Sequence, residues 1–238
     1  MLACAQLCFA DYVVDHALLF PWLGDTVNYR LLRGSFFLIS FLAMISHART
    51  MLTDPGAVPM GYQPNTLLAN EGGSKMPMCS RCDGFKPPRA HHCSQCDRCI
   101  VKMDHHCPWV NNCVGFYNYK FFCLFLVYCA AGCAYTALTC LLALFTSPRH
   151  NQTIVFVFVL TLSVLFALTL FLLWHAYLVA TNQTTIEFYS NRMDASDARK
   201  RGERWVNPYS IGIRGNFEQV FGATRNVASW LLPSRKPP

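Results

Sequence analysis

The chain has 238 residues, 53% of them apolar and 14% charged, and a formal net charge of +7. So apolar a balance excludes an ordinary soluble domain of this size and points to a membrane. The basic residues are dispersed and form no groove-reading motif, which argues against nucleic-acid recognition; a basic surface beside anionic lipid headgroups accounts for the charge.

In chain order, the first apolar segment, Ala3 to Leu23, carries Asp11 and Asp15 near its middle. Each costs about 2.5–3.5 kcal/mol at the centre of a membrane helix. The segment therefore reads either as a poor first span held by its partners or as an interfacial segment, and it lacks the basic n-region of a signal peptide. The second, Leu31 to Ile45, has Arg33 near one end and His47 and Arg49 past the other, as expected for basic residues snorkelling at two interfaces. Phe121 to Phe145 and Ile154 to Val179 contain no Asp, Glu, Lys or Arg and are long enough to cross a hydrocarbon core of roughly 30 Å. Eight Lys and Arg residues fall between Arg49 and Lys120 and nine between Arg192 and Lys236, against Arg149 alone in the connector Thr146 to Thr153. The bias places the central loop and the tail in the cytosol. Asn151-Gln-Thr153 is then a glycosylation sequon on a lumenal connector, and Asn182-Gln-Thr184 one on the cytosolic side.

Of thirteen cysteines, seven lie between Cys79 and Cys113 in that cytosolic loop, where metal binding or catalysis is expected in place of disulfides. Cys79-x2-Cys82 is followed by His92 and Cys99, and adding fourteen to each number gives Cys93, Cys96, His106 and Cys113. Each set is a Cys3His complement for a tetrahedral structural zinc, so two Zn2+ ions are predicted, interleaved in one module. A module this short, with little apolar core, depends on the metals to fold.

The repeat also leaves one thiol over. Positions 79, 93 and 107 are equivalent, but 110 is Val, so Cys107 begins a third knuckle that never forms. It ends the run Asp104-His105-His106-Cys107, in which His106 is committed to zinc and His105 is not. A thiol beside a histidine and an orienting carboxylate is the grouping nucleophilic catalysis requires. Cys4, Cys8, Cys123, Cys129, Cys133 and Cys140 read as small buried apolar residues, with Cys4 an acylation candidate if it reaches the cytosol.

The run Cys79 to Gly115, with Arg89-Ala-His-His-Cys93, Met103-Asp-His-His-Cys-Pro-Trp109 and Asn111-Asn-Cys-Val-Gly115, closely resembles the DHHC cysteine-rich domain of protein palmitoyltransferases. Asp54-Pro55-Gly56 is similar to that family's DPG motif and Thr184-Thr185-Ile186-Glu187 to its TTxE motif. The stretch from Asn207-Pro-Tyr209 through Asn216 to Phe221-Gly222 resembles its C-terminal aromatic and asparagine motif. The resemblance implies an all-α polytopic membrane protein: a four-transmembrane-helix bundle with a cytosolic two-zinc module between helices 2 and 3. The segments expected are 1–52 for two spans, 53–78 a linker, 79–120 the module, 121–145 a third helix, 146–153 a connector, 154–180 a fourth helix and 181–238 the tail. It makes Cys107 the acylated nucleophile, His105 the base and Asp104 its partner with Thr185 close by, and it gives Asn216 and Tyr209 a packing role.

The function expected is two thioester exchanges: Cys107 takes a long acyl chain from acyl-coenzyme A, then a membrane-proximal cysteine of a protein substrate takes it from Cys107. The lipid bilayer is a partner, and an endomembrane, Golgi or endoplasmic reticulum, is the expected location, with the plasma membrane as alternative. Lys86, Arg89 and His91 are candidates for the coenzyme's phosphates or are solvated surface charge. Trp109 suits the interface belt or simple packing. Gly132, within Ala130-Ala-Gly-Cys-Ala134, either leaves room for the acyl chain or lets helices pack closely. A non-catalytic membrane adaptor and a zinc-dependent ubiquitin ligase are the rival readings; the intact Asp104, His105 and Cys107 argue against the first and the fourteen-residue repeat against the second.

Overall fold

The computed structural model describes residues 2–64, 76–147, 152–224 and 226–234. Residues 65–75 of the linker and Arg149 and Asn151 of the connector lie outside them. Four helical stretches are long and apolar enough to cross a membrane: Ala3–Leu23, Val27–Leu52, Tyr119–Thr146 and Gln152–Ala180. The last three are numbered α3, α4 and α5, because Ala3–Leu23 is built from α1 (Leu2–Tyr12), a π-helical stretch (Val13–Leu19) and α2 (Phe20–Leu23). Long apolar runs must close their backbone hydrogen bonds internally, and a helix does so. The few hydroxyls obey the same rule: Thr136, Thr139, Thr161, Ser163 and Thr169 each donate to a carbonyl four residues back.

The chain divides into two compact units, one formed by Met1–Ala48 with Cys123–His175 and the other by Arg49–Phe122 with Ala176–Pro238. In the first unit the two acidic residues of the first apolar segment find polar partners, although Asp11 Oδ1 stays buried without one. Asp15, on the π-helical stretch and 3% exposed, accepts from Tyr29 Oη at 2.7 Å and pairs with Arg33 at 3.1 Å. Asp11 accepts from Ser40 Oγ at 3.0 Å. The extra residue of a π-turn shifts the helix face that follows. Arg33 is thus the ion-pair partner of Asp15, stacked near Tyr29 and Phe37, where the sequence suggested a snorkelling side chain. His47 likewise is fully buried, 3.6 Å from Cys4 Sγ and edge-on to Phe125. Val14, Leu19, Tyr29 and Phe36 form one apolar cluster, and Leu18, Cys140, Ala143 and Ile154 another, the small side chains allowing close helix approach.

The second unit is held by three short antiparallel hairpins, β1·β2 (Met78–Cys79, Gly84–Phe85), β3·β4 (Ala90–Cys93, Arg98–Val101) and β5·β6 (His105–Cys107, Asn112–Val114). Asp54 Oδ1 accepts from the backbone of Gly56 and Ala57, an Asx turn that sends Gly56 into φ +110 and lays Ala57 beside Ile100. Two asparagines seize the carbonyl end of α3: Asn112 Nδ2 reaches the carbonyls of Thr50, Met51 and Thr53, and Asn118 Nδ2 those of Thr50 and Cys113. Those carbonyls have no partner within their helix, so a side-chain amide is the natural cap. After α5 comes α6 (Thr185–Lys200), opened by a capping box in which Thr184 and Glu187 satisfy each other's backbone N–H. The tail adds α7 (Ile213–Phe221) and a 3-10 turn, Val227–Leu231, that stacks Trp230 on Phe217 and Phe221. Asn216, 1% exposed, donates to the carbonyl of Ala180 and to Ser210 and accepts from the N–H of Ile211.

Replacing Asn112 with Ala removes the side-chain donor from the carbonyls of Met51 and Thr53 and leaves that of Thr50 to Asn118. The expected cost is on the order of 2 kcal/mol, read as a lowered midpoint in thermal melts of the detergent-solubilised protein.

Candidate metal centres and candidate active site

The fourteen-residue repeat becomes a relay of hairpins. Cys79 ends β1 and Cys82 lies in the turn that follows, while His92 and Cys99 face each other across β3·β4; their ligand atoms lie within 4.8 Å of one another. Cys93 ends β3 and Cys96 lies in its turn, while His106 and Cys113 face each other across β5·β6, and these four atoms meet the same limit. The first hairpin thus offers a Cys-x2-Cys knuckle to the first site, the second offers a cross-strand pair, histidine opposite cysteine, to that site and a knuckle to the next, and the third offers the cross-strand pair of the second site.

The donor sets fit zinc. Ligand-to-ligand edges of a tetrahedron with ordinary Zn–S and Zn–N bonds are about 3.5–3.8 Å. His92 Nδ1 stands 3.6 Å from Cys79 Sγ and 3.3 Å from Cys82 Sγ. His106 Nδ1 stands 3.7, 3.4 and 3.7 Å from the sulfurs of Cys93, Cys96 and Cys113. One imidazole nitrogen cannot hydrogen-bond three thiols at once, whereas one cation can hold all four atoms. Burial and the neighbouring thiols push Cys99 and Cys113 well up, the cost of crowding thiolates that a dication removes. Asp97 Oδ1 lies 3.7 Å from His92 Nε2, beyond hydrogen-bond reach.

The backbone carries the same repeat. Asp83, Asp97 and Asn111, fourteen apart, all take left-handed φ values, 47, 50 and 47, to close their turns, a conformation Asp and Asn tolerate well. The third turn thus keeps the knuckle shape with Val110 in place of a second cysteine, and no fourth hairpin follows to complete a site. Cys107, 5% exposed, still has the N–H groups of Val110 and Trp109 turned towards its sulfur, as Cys93 has that of Cys96 at 3.4 Å.

Strand alternation then sorts the run 104–107. Side chains at i and i+2 share a face, so His106 turns to the metal ligands while His105 and Cys107 face the other way together. His105 Nδ1 contacts Asp104 Oδ2 at 2.7 Å, which leaves Nε2 for the thiol. Asp104, 1% exposed, also accepts from the backbone N–H of Thr185 at 2.8 Å and from Thr185 Oγ1 at 3.1 Å, at the N-terminus of α6. A helix N-terminus, with its unpaired N–H groups and dipole, is suited to hold a carboxylate in that place. Burial disfavours the charged imidazole of His105, but its hydrogen bonds to Asp104 and Cys107 outweigh that and raise it to about 9. Burial likewise opposes the Cys107 thiolate, and the His105 contact and the two turn N–H groups overcome it, so the thiol is lowered. Both shifts favour passage of the Cys107 proton to His105, the arrangement that makes a cysteine nucleophilic near neutral pH.

Of the other residues singled out in the sequence, Arg89 is not available to a phosphate. Its guanidinium binds Glu187 in bidentate fashion, donates twice to Asn182 and lies 4.5 Å over the ring of Tyr209, with its side chain 11% exposed. Every face of the fork is spent internally. Lys86 and His91 are half-buried near each other, His91 being lowered first by burial and, in part, by the charge of Lys86. Trp109 is 56% exposed. Gly132 lies on α4 in the first unit, where an added Cβ would meet only Ile39, at 3.9 Å, so helix packing does not demand glycine there. Tyr209 serves Arg89 with its ring and Asn182 with its carbonyl. Sequence reasoning overlooked Asn112, Asn118, Asn182 and Glu187 as organising residues; the third left-handed turn was legible as Asp83, Asp97 and Asn111 at the repeat spacing.

Apolar helices of membrane length, two Cys3His clusters whose donor sets fit zinc and a thiol beside a histidine outside both clusters describe a membrane-type protein with a candidate zinc module and a candidate nucleophile. Residues 74–192 match the DHHC palmitoyltransferase family. A relative in Arabidopsis thaliana named Probable protein S-acyltransferase 16 is 34% identical over 220 residues, covering 85% of this chain and 76% of the relative. Another, Probable protein S-acyltransferase 15, is 32% identical over 95% of this chain and 92% of its own length. A palmitoyltransferase of Xenopus laevis is 41% identical over 70% of this chain and 49% of its own length. The chain belongs to the DHHC palmitoyltransferase family and is a protein S-acyltransferase.

Two measurements probe the site. Metal analysis of the purified chain is expected to give two zinc atoms, fewer in Cys99→Ala or Cys113→Ala, and still two in Cys107→Ala. Alkylation of Cys107 by iodoacetamide, plotted against pH, is expected to have its acid limb below the free-thiol value of about 8.5. Because the imidazolium partner lowers the thiol, His105→Ala should move that limb upward; an unmoved limb would show that the ring does not stabilise the thiolate.

Proposed function

We propose that Cys107 is the nucleophile that carries the acyl group, with His105 as its base and Asp104 as the group that orients and charges the ring. The observation that carries this reading is the hydrogen-bond chain from the α6 N-terminus through Asp104 and His105 to a cysteine outside both metal clusters. In the first step the thiol proton passes to His105 Nε2, Cys107 Sγ bonds to the acyl carbon of acyl-coenzyme A, and the coenzyme leaves as a thiolate that takes the proton back. In the second, a substrate cysteine gives its proton to the same nitrogen and attacks the acyl carbon, releasing Cys107. Each step exchanges one thioester for another, so the enzyme's task is positioning and proton transfer. Zinc bound by Cys79, Cys82, His92 and Cys99 and by Cys93, Cys96, His106 and Cys113 would fix the backbone on which these side chains ride.

A sixteen-carbon chain gains roughly 0.8 kcal/mol for each methylene removed from water, which ties the reaction to an apolar medium and favours substrate cysteines close to a membrane. The four apolar helices are read as four spans, with the zinc module between the second and third. The excess of Lys and Arg in the central loop and tail supports a cytosolic site, and an endomembrane, Golgi or endoplasmic reticulum, follows the family resemblance. Of the three candidates Lys86 is the cation left to meet the coenzyme's phosphates, with His91, whose charging burial disfavours, beside it, and the exposed Trp109 suits the headgroup layer. The small side chains around Gly132 give α4 the low bulk that a straight acyl chain needs beside it.

Incubated with an alkynyl palmitoyl-coenzyme A analogue, the protein is expected to acquire a hydroxylamine-labile label. Cys107→Ser should abolish it and His105→Ala should slow it by about 100-fold or more. A label that persists in Cys107→Ser, with two zinc atoms still bound, would overturn the assignment.

A further inference from the structure

Resting on that assignment of Cys107, His105 and Asp104, we propose that Arg89 and Glu187 are positioning residues for acyl transfer, acting through the first turn of α6 on Asp104. Arg89 stands just before β3, in the hairpin that joins the two metal sites, and holds a left-handed backbone (φ 64) that Arg seldom adopts. From there its Nε and Nη2 reach both oxygens of Glu187, each at 2.6 Å. Its Nη1 and Nη2 reach the side chain and backbone oxygens of Asn182 at 3.0 and 3.1 Å. Both partners of the ion pair are nearly buried, with side chains 11% and 10% exposed.

Glu187 works in two directions at once. The carboxylate that takes Arg89 also accepts the backbone N–H of Thr184 at 2.9 Å, and its own N–H donates to Thr184 Oγ1 at 3.2 Å. Thr185, the next residue, supplies both hydrogen bonds from α6 to Asp104. The planar fork of Arg89 therefore fixes the turn from which Asp104 is held, and Asp104 fixes the ring that serves Cys107. Lysine could supply the charge but not the two parallel bonds that set the orientation. A buried ion pair adds little to stability over an apolar pair of the same volume, whereas a displacement of about 1 Å at a catalytic base is costly to rate. Asn182, itself left-handed (φ 49), closes the clamp by donating to the carbonyl of Tyr209 and to Gln219.

The test uses the full-length protein in detergent with palmitoyl-coenzyme A. It reads the single-turnover rate of Cys107 acylation at saturation, the concentration giving half that rate, and zinc per chain. Glu187→Gln and Arg89→Lys are each expected to lower the saturating rate about tenfold or more, to leave the half-saturating concentration within about twofold, and to retain two zinc atoms. Because the clamp acts in part through the Thr185 hydroxyl, while the backbone N–H bond to Asp104 survives in Thr185→Ala, either change combined with Thr185→Ala should lose less than the product of the two single losses. Losses that multiply, a loss carried by the half-saturating concentration, or an unchanged rate would each overturn the inference. So would zinc loss in both clamp variants, which would place the pair in folding. If Glu187→Gln alone loses metal, Arg89→Lys, which keeps the charge, carries the same cycle. Absence of label on wild-type Cys107 would instead sink the assignment of the nucleophile, and this inference with it.

Discussion

Strands of two to four residues cannot hold a hairpin together in water, and the second unit is made of three such hairpins. What lets them persist is the sharing of ligands: every metal site takes its knuckle from one hairpin and its facing histidine and cysteine from the next, so neither hairpin can leave without opening a site. The reacting geometry depends on that constraint. Cys107 occupies the knuckle position of the last hairpin, where the turn and its inward N–H groups are retained and the metal is not called for. The strand that delivers His106 to a metal cluster turns His105 and Cys107 the other way, so fixing one face fixes the other.

The module is joined to the helices of its own unit by polar side chains more than by apolar packing. Asn112 and Asn118 close the carbonyl end of α3, and Asp104 closes the amide end of α6. Both are helix termini, where unpaired backbone groups would otherwise be buried without partners. Directional bonds of this kind set orientation more tightly than an apolar contact of similar area. Orientation is what a general base requires, since its nitrogen must meet a proton within hydrogen-bond reach.

In the first unit the polar groups follow a different logic. Asp11 and Asp15 looked costly for a membrane helix because insertion scales describe a side chain alone in hydrocarbon. Here each has a partner on α3: Ser40 for Asp11, and Tyr29 with Arg33 for Asp15. Unfavourable residues on two neighbouring helices become mutual ligands, a common arrangement for ionisable groups inside membrane proteins.

Composition, hydrophobic runs and the spacing of cysteines and histidines were enough to identify four apolar segments, the first of them left open between a span and an interfacial segment, two Cys3His sets and one surplus thiol. These are properties of local sequence: the length of an apolar run and the recurrence of a ligand every fourteen residues do not depend on the rest of the chain. The resemblance carried by the motifs around Cys107 added the chemistry. Only the tertiary structure decided the fate of charges whose partners are remote in sequence. It spent Arg89 on Glu187, ninety-eight positions away, placed Thr185 against Asp104, eighty-one away, and joined Asp15 to Arg33. A guanidinium reads the same in a sequence whether it will meet a phosphate or a buried carboxylate. The difference lies in burial and in which acceptors the folded chain brings within about 3 Å, and a linear pattern specifies neither.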